Sequence, residues 1–392
     1  MDGTKPAAGD NIAVLRRARG IGQEALAARA GVSVSLLRKI ERGHRAATPP
    51  VVAAIARALG VSTGRLNGSP YTDPVELETQ LNSLRGAVRR HTLPREDVPA
   101  PEVLASNLAK ASALRSDTRY GELLELLPTL LGQVTASALT ASGDATAWTR
   151  VADVYGCAFA VAHRLGQADL AETVVARQAW ASSRTWNPAA EAATAWNEAG
   201  VHQSAGDYAD GLAIVDRAIT AFERTRARGS ESAIVLGSLH LRGVVLASRH
   251  RDRAATESHL NLAKSLSGQL PEDRLLHNLT FGPGNTALYE LAARVELGQP
   301  DKAWEMAEPF STQPPKGLRP NRLGRLHIDA ARARLALGDH GGAEESLGAA
   351  FKVAPEMTRL HPMAREVLRV MLVAHQRARP SLSAMARRSG LR

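Results

Sequence analysis

The sequence predicts an all-α protein with a five-helix N-terminal helix-turn-helix domain and a C-terminal α-solenoid built from helical repeats. Aromatic residues make up only 4% of the chain, and no run of β-branched residues alternates as a surface strand would. Turn-like motifs also recur at intervals of about 40 residues in the C-terminal two thirds. With 392 residues, the chain can hold two or three domains with sizeable cores.

The stretch 23–43, QEALAARAGVSVSLLRKIERG, predicts two short helices joined by a turn at Gly31. Ser33 is a good N-cap for the second helix, and Gly43 ends that helix with the positive φ that glycine tolerates. Apolar side chains bury one face of each helix, which leaves a basic face outward. A helix before this pair, over about 11–19, and two after it complete a small core.

The basic residues are concentrated near the N-terminus. The net charge is +10, and residues 1–67 contain eleven of the 49 Lys and Arg but only four of the 39 Asp and Glu. Such a concentration is typical of a surface that meets a phosphate backbone, as in DNA. The alternative is a basic segment that only aids solubility.

The N-terminal motifs resemble the Xre-type, phage-repressor-like helix-turn-helix family. Three stretches carry the shared spacing: QxxLAxxxGVS from Gln23, LxxIERG from Leu37 and IAxALGVS from Ile55. The resemblance runs from the first helix to Asn67 and implies that the second helix of the pair reads a DNA major groove.

The resemblance also implies roles for individual side chains. The base-facing positions are Val34, Ser35, Arg38 and Lys39. The phosphate-contacting positions are Arg16, Gln23, Ser33, Arg42 and Arg45. Lys39 can donate to guanine O6 and N7, whereas Val34 can only pack, for instance on a thymine methyl. Arg38 either reads a base or grips a phosphate, and Glu41 is either a base reader or an internal cap or salt-bridge partner.

Composition shifts divide the chain. After Gly68-Ser69-Pro70, a helix is predicted from Pro74, as a linking helix or part of a dimer contact, and then a Pro-rich, charged segment, TLPREDVPAP. The predicted divisions are a disordered N-terminus (1–9), the DNA-binding domain (10–68), a linker (69–117), the repeat body (118–379) and a basic tail (380–392).

Five turn motifs in the body resemble the helical hairpins of tetratricopeptide (TPR) repeats. Their equivalent positions lie 40, 43, 49 and 40 residues apart: Gly166, Gly206, Arg249, Gly298 and Gly338. Such hairpins stack into a superhelix with a concave groove. The first helices line that groove and supply four candidate ligand contacts: Asn197, Arg242, Asn285 and Tyr289. The alternative is that these side chains are satisfied within the repeats.

The sequence shows no catalytic constellation, no metal-ligand spacing and no phosphate-binding loop, so we expect neither an enzyme nor a cofactor or metal. FGPGN, residues 281–285, is expected to begin a helix. A single cysteine, no apolar stretch of about 18 residues and no signal-peptide layout favour a cytoplasmic, nucleoid-associated protein without membrane contact.

Together the two parts resemble actinobacterial Xre–TPR regulators, which are related to the peptide-pheromone receptor regulators. The resemblance implies a homodimeric, sequence-specific transcriptional regulator that binds a double-stranded DNA operator. Its repeat body would sense a signalling peptide, a small molecule or a protein. The alternative is a TPR scaffold that captures a partner protein and uses its DNA-binding domain only for recruitment.

Overall fold

A computed structural model describes residues 8–68, 74–141, 144–375 and 379–391, and these are nearly all helical. Residues 1–7 of the segment predicted to be disordered lie outside the described residues. Ala8 and Gly9 differ from that expectation, because they form the buried first turn of a helix. The predicted all-α class is confirmed, with one small exception given below.

Five helices form the N-terminal bundle: α1 (Ala8–Ala18), α2 (Gln23–Ala30), α3 (Val34–Glu41), α4 (Pro49–Leu59) and α5 (Thr63–Asn67). Gly31 ends α2 in the left-handed region at φ 62°, which lets the chain turn at once into α3. The Ser33 hydroxyl accepts the Leu36 amide at 3.1 Å and caps α3. Ile12, Leu37 and other apolar side chains are fully buried in the shared core.

Sixteen further helices and one two-stranded sheet form the body in the described part of the chain. Its first six helices are α6 (Pro74–Arg89), α7 (Pro101–Ser116), α8 (Tyr120–Thr140), α9 (Ala145–Arg164), α10 (Ala168–Ser182) and α11 (Pro188–Ala205). Next come α12 (Tyr208–Glu223), α13 (Ser230–His250), α14 (Arg253–Ser267), β1 (Arg274–Leu276), β2 (Leu279–Phe281) and α15 (Pro283–Glu296). The last six helices are α16 (Pro300–Thr312), α17 (Pro320–Ala336), α18 (His340–Val353), α19 (Pro355–Leu360), α20 (Pro362–Ala374) and α21 (Pro380–Arg388).

The helices from α9 to α18 pair into five hairpins that stack into a solenoid. Four of the predicted turn glycines adopt positive φ angles between the paired helices: Gly166, Gly206, Gly298 and Gly338. The third turn differs from the prediction, because Arg249 lies inside α13 and Arg251 takes the left-handed conformation at φ 64°. Because no glycine stands at that turn, α13 continues past Arg249, and Arg251 adopts the positive φ that is strained for a residue other than glycine.

The two ends of the solenoid meet. One hydrophobic core joins side chains of α6–α10 to side chains of α17–α21, including Tyr155 and Leu368. Glu356 of α19 also accepts the backbone amides of Tyr120 and Gly121 at 2.8 and 3.2 Å, so it caps the first turn of α8. The body is therefore a closed helical ring.

The predicted linker, residues 69–117, contributes to this ring. Leu81, Leu84 and Val88 of α6 and Leu104 and Leu114 of α7 are buried in the same core as α8. At the other end of the chain, α21 buries Leu382 and Met385 of the predicted basic tail. The division of the chain into domains stays a prediction.

A β-hairpin between α14 and α15 was not predicted. β1 and β2 pair antiparallel, with Leu276 opposite Leu279, and the two loop residues, His277 and Asn278, both have positive φ. This is the geometry of a type I′ turn, in which Asn is favoured. The inserted hairpin lengthens the third interval between turns. Phe281 therefore ends a strand, and α15 begins only at Pro283.

The tip of the hairpin crosses the ring and contacts α9 and α7. His277 Nδ1 lies 3.0 Å from Asp153 Oδ1, and Asn278 donates its side-chain amide to the Asp153 carbonyl at 2.9 Å. Arg115 donates to the Asn278 carbonyl at 2.8 Å. Gly156 allows this approach, since a Cβ there would lie 2.9 Å from Asn278 Nδ2.

Among the described residues, one helix, α8, is long and apolar enough by composition to cross a membrane, which the sequence did not suggest. Its leucines, such as Leu123 and Leu127, are buried in the ring core. The core of a folded domain explains that composition.

We expect His277 to make stability depend on pH. Burial disfavours its charged ring, but the hydrogen bond and charge of Asp153 and the charge of Glu231 outweigh burial and raise the pKa of His277 above its ordinary value. The resulting stabilisation is complete below the ordinary histidine pKa of about 6.5. It is lost as pH rises through the folded-state pKa.

The test compares melting temperatures between about pH 6 and 8 for the wild type and for Asp153→Asn. The melting temperature of the wild type should fall more steeply with rising pH than that of the variant. Asp169→Asn, at an exposed carboxylate, is the control and should behave as the wild type. Equal slopes for the wild type and Asp153→Asn would contradict the assignment.

Candidate nucleic-acid interface and central cavity

The outward face of α3 is accessible. Three of the predicted base-facing side chains, Ser35, Arg38 and Lys39, are exposed, and Val34 is half-buried at the first turn. Leu37 and Ile40, on the opposite face, have no exposed surface. This division follows from the 3.6-residue helical period and leaves one polar, basic face on α3.

A partly buried ion pair supports this face from beneath. Arg16 of α1 forms a two-pronged contact with Glu41 at the end of α3, with N–O distances of 2.7 and 2.9 Å. Gln23 donates to Glu41 at 2.7 Å and accepts from Arg38 at 3.3 Å. The network joins three helices and fixes the position of α3 relative to α2.

The charges in this network are mutually stabilised. Burial alone would raise the pKa of Glu41, but hydrogen bonds from Arg16 and Gln23 and the charge of Arg16 hold it below its ordinary value. Arg16 also donates to the Ile21 carbonyl at 2.9 Å. Its guanidinium is thus largely engaged within the protein, and a phosphate contact by Arg16 or Gln23 stays a prediction.

The remaining predicted phosphate contacts lie around α3. Ser33, Arg42 and Arg45 are exposed, and the Ser33 hydroxyl already caps α3. Arg42 and Arg45 follow the C-terminal end of α3. Seven of the nine predicted DNA contacts lie on α3 or next to it in the chain, and Arg16 and Gln23 lie in the network with Glu41. Their binding roles stay predictions.

Helix α20 of the body grips the bundle at the far end of α3. The Glu366 carboxylate accepts the backbone amides of Ala8 and Ala47, both at 3.0 Å. Arg369 donates to the carbonyls of Ile40 and Glu41 at 2.6 and 3.1 Å.

These carbonyls lie in the last turn of α3, where the helix supplies no amide four residues on, and the Ile40 carbonyl also accepts the Gly43 amide at 3.0 Å. Arg369 also pairs with Asp10 at 2.7 Å. Helix α3 is therefore attached to the body by its C-terminal end, which leaves the face with Ser35, Arg38 and Lys39 exposed.

A second contact joins α4 and α5 to the ring. Arg365 donates to the Asn67 carbonyl at 2.8 Å, and Thr63 donates to the Ser204 carbonyl at the end of α11. Ala53 of α4 packs on Gly206, where a Cβ would lie 2.3 Å from the Ala53 methyl. The bundle covers one opening of the ring.

A central cavity of about 690 Å³ lies between the bundle and the ring. Residues of α4 and α5, among them Ala53 and Thr63, form one wall, and the first helices of the hairpins form the others. A cavity of this size is typical of sites for small organic ligands, which occupy about 300–1,000 Å³.

The four candidate ligand contacts all line this cavity: Asn197, Arg242, Asn285 and Tyr289. Asn197 donates to Gln178 at 2.8 Å, and Asn285 donates to the Thr280 carbonyl at 2.6 Å while its buried Oδ1 lacks a partner. Arg242 lies over the Trp196 ring at 3.5 Å and donates to Gln203 at 2.6 Å. Asn197, Arg242 and Asn285 are thus oriented by protein contacts, and ligand binding by all four residues stays a prediction.

Sequence reasoning missed the contact of α20 with the bundle and, apart from Arg242, the arginines of the cavity wall. The spacing of Arg365, Glu366 and Arg369 gave a signal, because three charges within two turns of an otherwise apolar helix need partners. Searching the residues that the structure describes finds no cluster of His, Cys, Asp or Glu that could hold a metal ion.

We expect Glu41→Gln to lower the free energy of unfolding of the N-terminal bundle by about 2 kcal/mol, because Arg16 loses its charged partner in a buried site. Native-state amide hydrogen exchange over residues 23–43 measures this local stability. Glu24→Gln is the matched control. The Glu24 side chain is 82% exposed and that of Glu41 is 6% exposed, so the control should change nothing measurable. Equal effects of the two substitutions would refute the supporting role of the ion pair.

Comparisons with known proteins cover the two parts of the chain unequally. The sequence model of the Helix-turn-helix family matches residues 12–66. An uncharacterized HTH-type transcriptional regulator, y4dJ of Sinorhizobium fredii, is 46% identical over 54 residues, which are 14% of this chain and 70% of that protein.

Two solved structures, a point mutant of PrgX and a PrgX/cCF10 complex, cover 89% and 86% of this chain and 95% and 92% of their own. Their identities are 11% and 10% and their TM-scores are 0.29 and 0.26, a likeness that identifies neither a ligand nor an assembly. The matched segment of the family model holds α2 and α3 with the face and network described above. The chain therefore belongs to the helix-turn-helix family of transcriptional regulators.

Proposed function

We propose that the protein is a sequence-specific DNA-binding regulator of transcription, located in the cytoplasm at the nucleoid. The observation that carries this proposal is the exposed polar face of α3, where Ser35, Arg38 and Lys39 project outward. A helix that presents such side chains from a rigid support can reach base edges in the major groove. The network around Glu41 supplies that support.

The body, in this proposal, is a TPR-like sensor whose ligand occupies the central cavity. The cavity wall includes α4 and α5 of the bundle, so a ligand there touches the DNA-binding part directly. A ligand that fits one orientation of the bundle better than another shifts the equilibrium between them by its difference in affinity. Such a shift changes how α3 meets DNA.

A homodimer would place two bundles on two half-sites. Helix-turn-helix dimers bind half-sites about 34–36 Å apart, or at multiples of this, and the body would set that separation. The resemblance to Xre–TPR regulators, which implies a homodimer, supports this part of the proposal. Sedimentation of the full chain, with and without operator DNA, measures its oligomeric state.

The alternative function is a scaffold that captures a partner protein in its concave groove. The body contacts the bundle through buried charges at Glu366 and Arg369, so deleting the bundle would expose those charges. Removal of DNA binding by substitution is the cleaner test. If a strain that carries Ser35→Ala together with Lys39→Ala keeps the full regulatory phenotype, the scaffold function holds. If the phenotype is that of the null strain, the regulator function holds.

We expect Lys39→Ala to weaken operator binding about 10- to 100-fold while it lowers binding to unrelated DNA much less, because a base contact carries sequence information. Gln23→Ala should weaken both alike. Affinities are measured at one salt concentration on an operator taken from a genome-wide occupancy map and on a scrambled duplex. Lys110→Ala, at an exposed lysine of α7, is the control and should leave both affinities unchanged. Equal losses on both duplexes for Lys39→Ala would remove its assigned role.

A further inference from the structure

The wall of the central cavity carries an excess of positive charge that the protein does not neutralise. Five of its arginines form no ion pair with an acid among the described residues. Arg57 is exposed, and the other four point the charge inward: Arg115, Arg164, Arg242 and Arg322 are buried or half-buried. They come from α7, α9, α13 and α17, so separate sides of the ring contribute them. Two further arginines of the wall are paired, Arg249 with Glu296 at 3.8 Å and Arg325 with Asp329 at 2.6 Å.

Several guanidinium donors in this wall lack any acceptor. Arg115 is 8% exposed and has two unpaired nitrogens, Nε and Nη1. Arg242 is 6% exposed and its Nε is unpaired, as is the Nε of Arg322. Buried donors without acceptors are costly, because each gives up its water without a replacement. A protein retains several of them in one cavity when something else supplies the acceptors.

The acidic residues of the lining do not neutralise the positive charge of these arginines. Asp169, Glu172 and Asp207 belong to the wall, and all three are exposed at its edge. Bulk water screens charges in such positions, whereas the buried arginines are screened far less. The interior of the cavity is therefore cationic.

Neighbouring groups respond to this field. Burial, followed by the charges of Arg164 and Arg242, lowers the pKa of His163 to about 3, so its ring is neutral in the cell. Burial would raise the pKa of Tyr289, yet Arg322 and Arg242 lower it. Burial also lowers the pKa of Arg242 to about 10. These directions agree with guanidinium groups held close together without counter-charge.

We propose that the central cavity binds a small organic anion with two or more phosphate or carboxylate groups, held by Arg115, Arg164, Arg242 and Arg322. Guanidinium groups donate paired hydrogen bonds to such oxyanions. A single negative charge would leave most of the four arginines uncompensated, which is why the ligand carries several. This inference rests on the proposed sensing function and specifies the chemical class of its ligand.

The test uses the full-length protein and two probes, inorganic pyrophosphate and citrate, at constant ionic strength. Ligands that bind only the folded state raise the melting temperature. We expect at least one probe to raise it by about 3 °C near saturation. Stabilisation by pyrophosphate alone identifies phosphate as the favoured group, and stabilisation by citrate alone identifies carboxylate. Spermidine, a polycation, should give no shift.

Two substitutions locate the site. Arg322→Gln and Arg242→Gln should each reduce the shift by at least half. Arg217→Gln, at an exposed arginine of α12 outside the cavity, should retain it. The melting temperature without probe shows whether each variant folds, and Arg322→Gln should not lower it, because it removes a charge that lacks an acid partner.

Two outcomes would overturn the proposal: no shift with either probe, or an equal shift in all variants. DNA binding is measured on the same samples without probes. Loss of the anion effect with DNA binding intact removes this inference alone. Absence of DNA binding with the anion effect present removes the proposed function instead.

Discussion

The structure depends on one charged contact between its two parts, the pair of side chains Glu366 and Arg369 on α20. Glu366 holds the amides of Ala8 and Ala47, and Arg369 holds the C-terminal carbonyls of α3. Burial raises the pKa of Glu366 although both amides and Arg369 oppose this. The protein thus accepts an unfavourable environment for a carboxylate in order to fix the bundle on the ring. Because the contact uses mainly main-chain groups, together with the Asp10 side chain, it constrains the orientation of the bundle and leaves the outward face of α3 uncovered.

That attachment links the two candidate sites. The bundle presents α3 to solvent on one side and covers the ring with α4 and α5 on the other, so it holds the candidate DNA-binding face and also forms a wall of the central cavity. No long path of side chains is needed to carry a signal between the two, because one rigid bundle touches both. A small tilt of the bundle about α20 would move both the exposed face of α3 and the cavity wall formed by α4 and α5.

Local patterns predicted much of this architecture. The spacing of Gly31, Ser33 and Gly43 fixes the helix pair, since each residue has a backbone or capping role that depends only on its neighbours. The turn glycines of the solenoid were found for the same reason. The meeting of distant parts was not predictable: α20 against α1, the closure of the ring and the four arginines in one cavity depend on how hairpins stack. Arg242 was identified as a groove residue, but its partners come from elements far apart in the sequence. The β-hairpin was not predictable from the sequence, because three-residue strands are too short to show a recognisable alternation of apolar and polar residues.

The hairpin that crosses the ring has a mechanical consequence. In a solenoid whose repeats contact only their neighbours, no long-range contact opposes a change of pitch. Here the His277–Asn278 turn of the β-hairpin binds α9 on the opposite side of the ring. A ring braced across its middle in this way resists stretching, but the N-terminal bundle can still tilt relative to it. We therefore expect motion at the contact between the bundle and α20, and little change in the pitch of the solenoid.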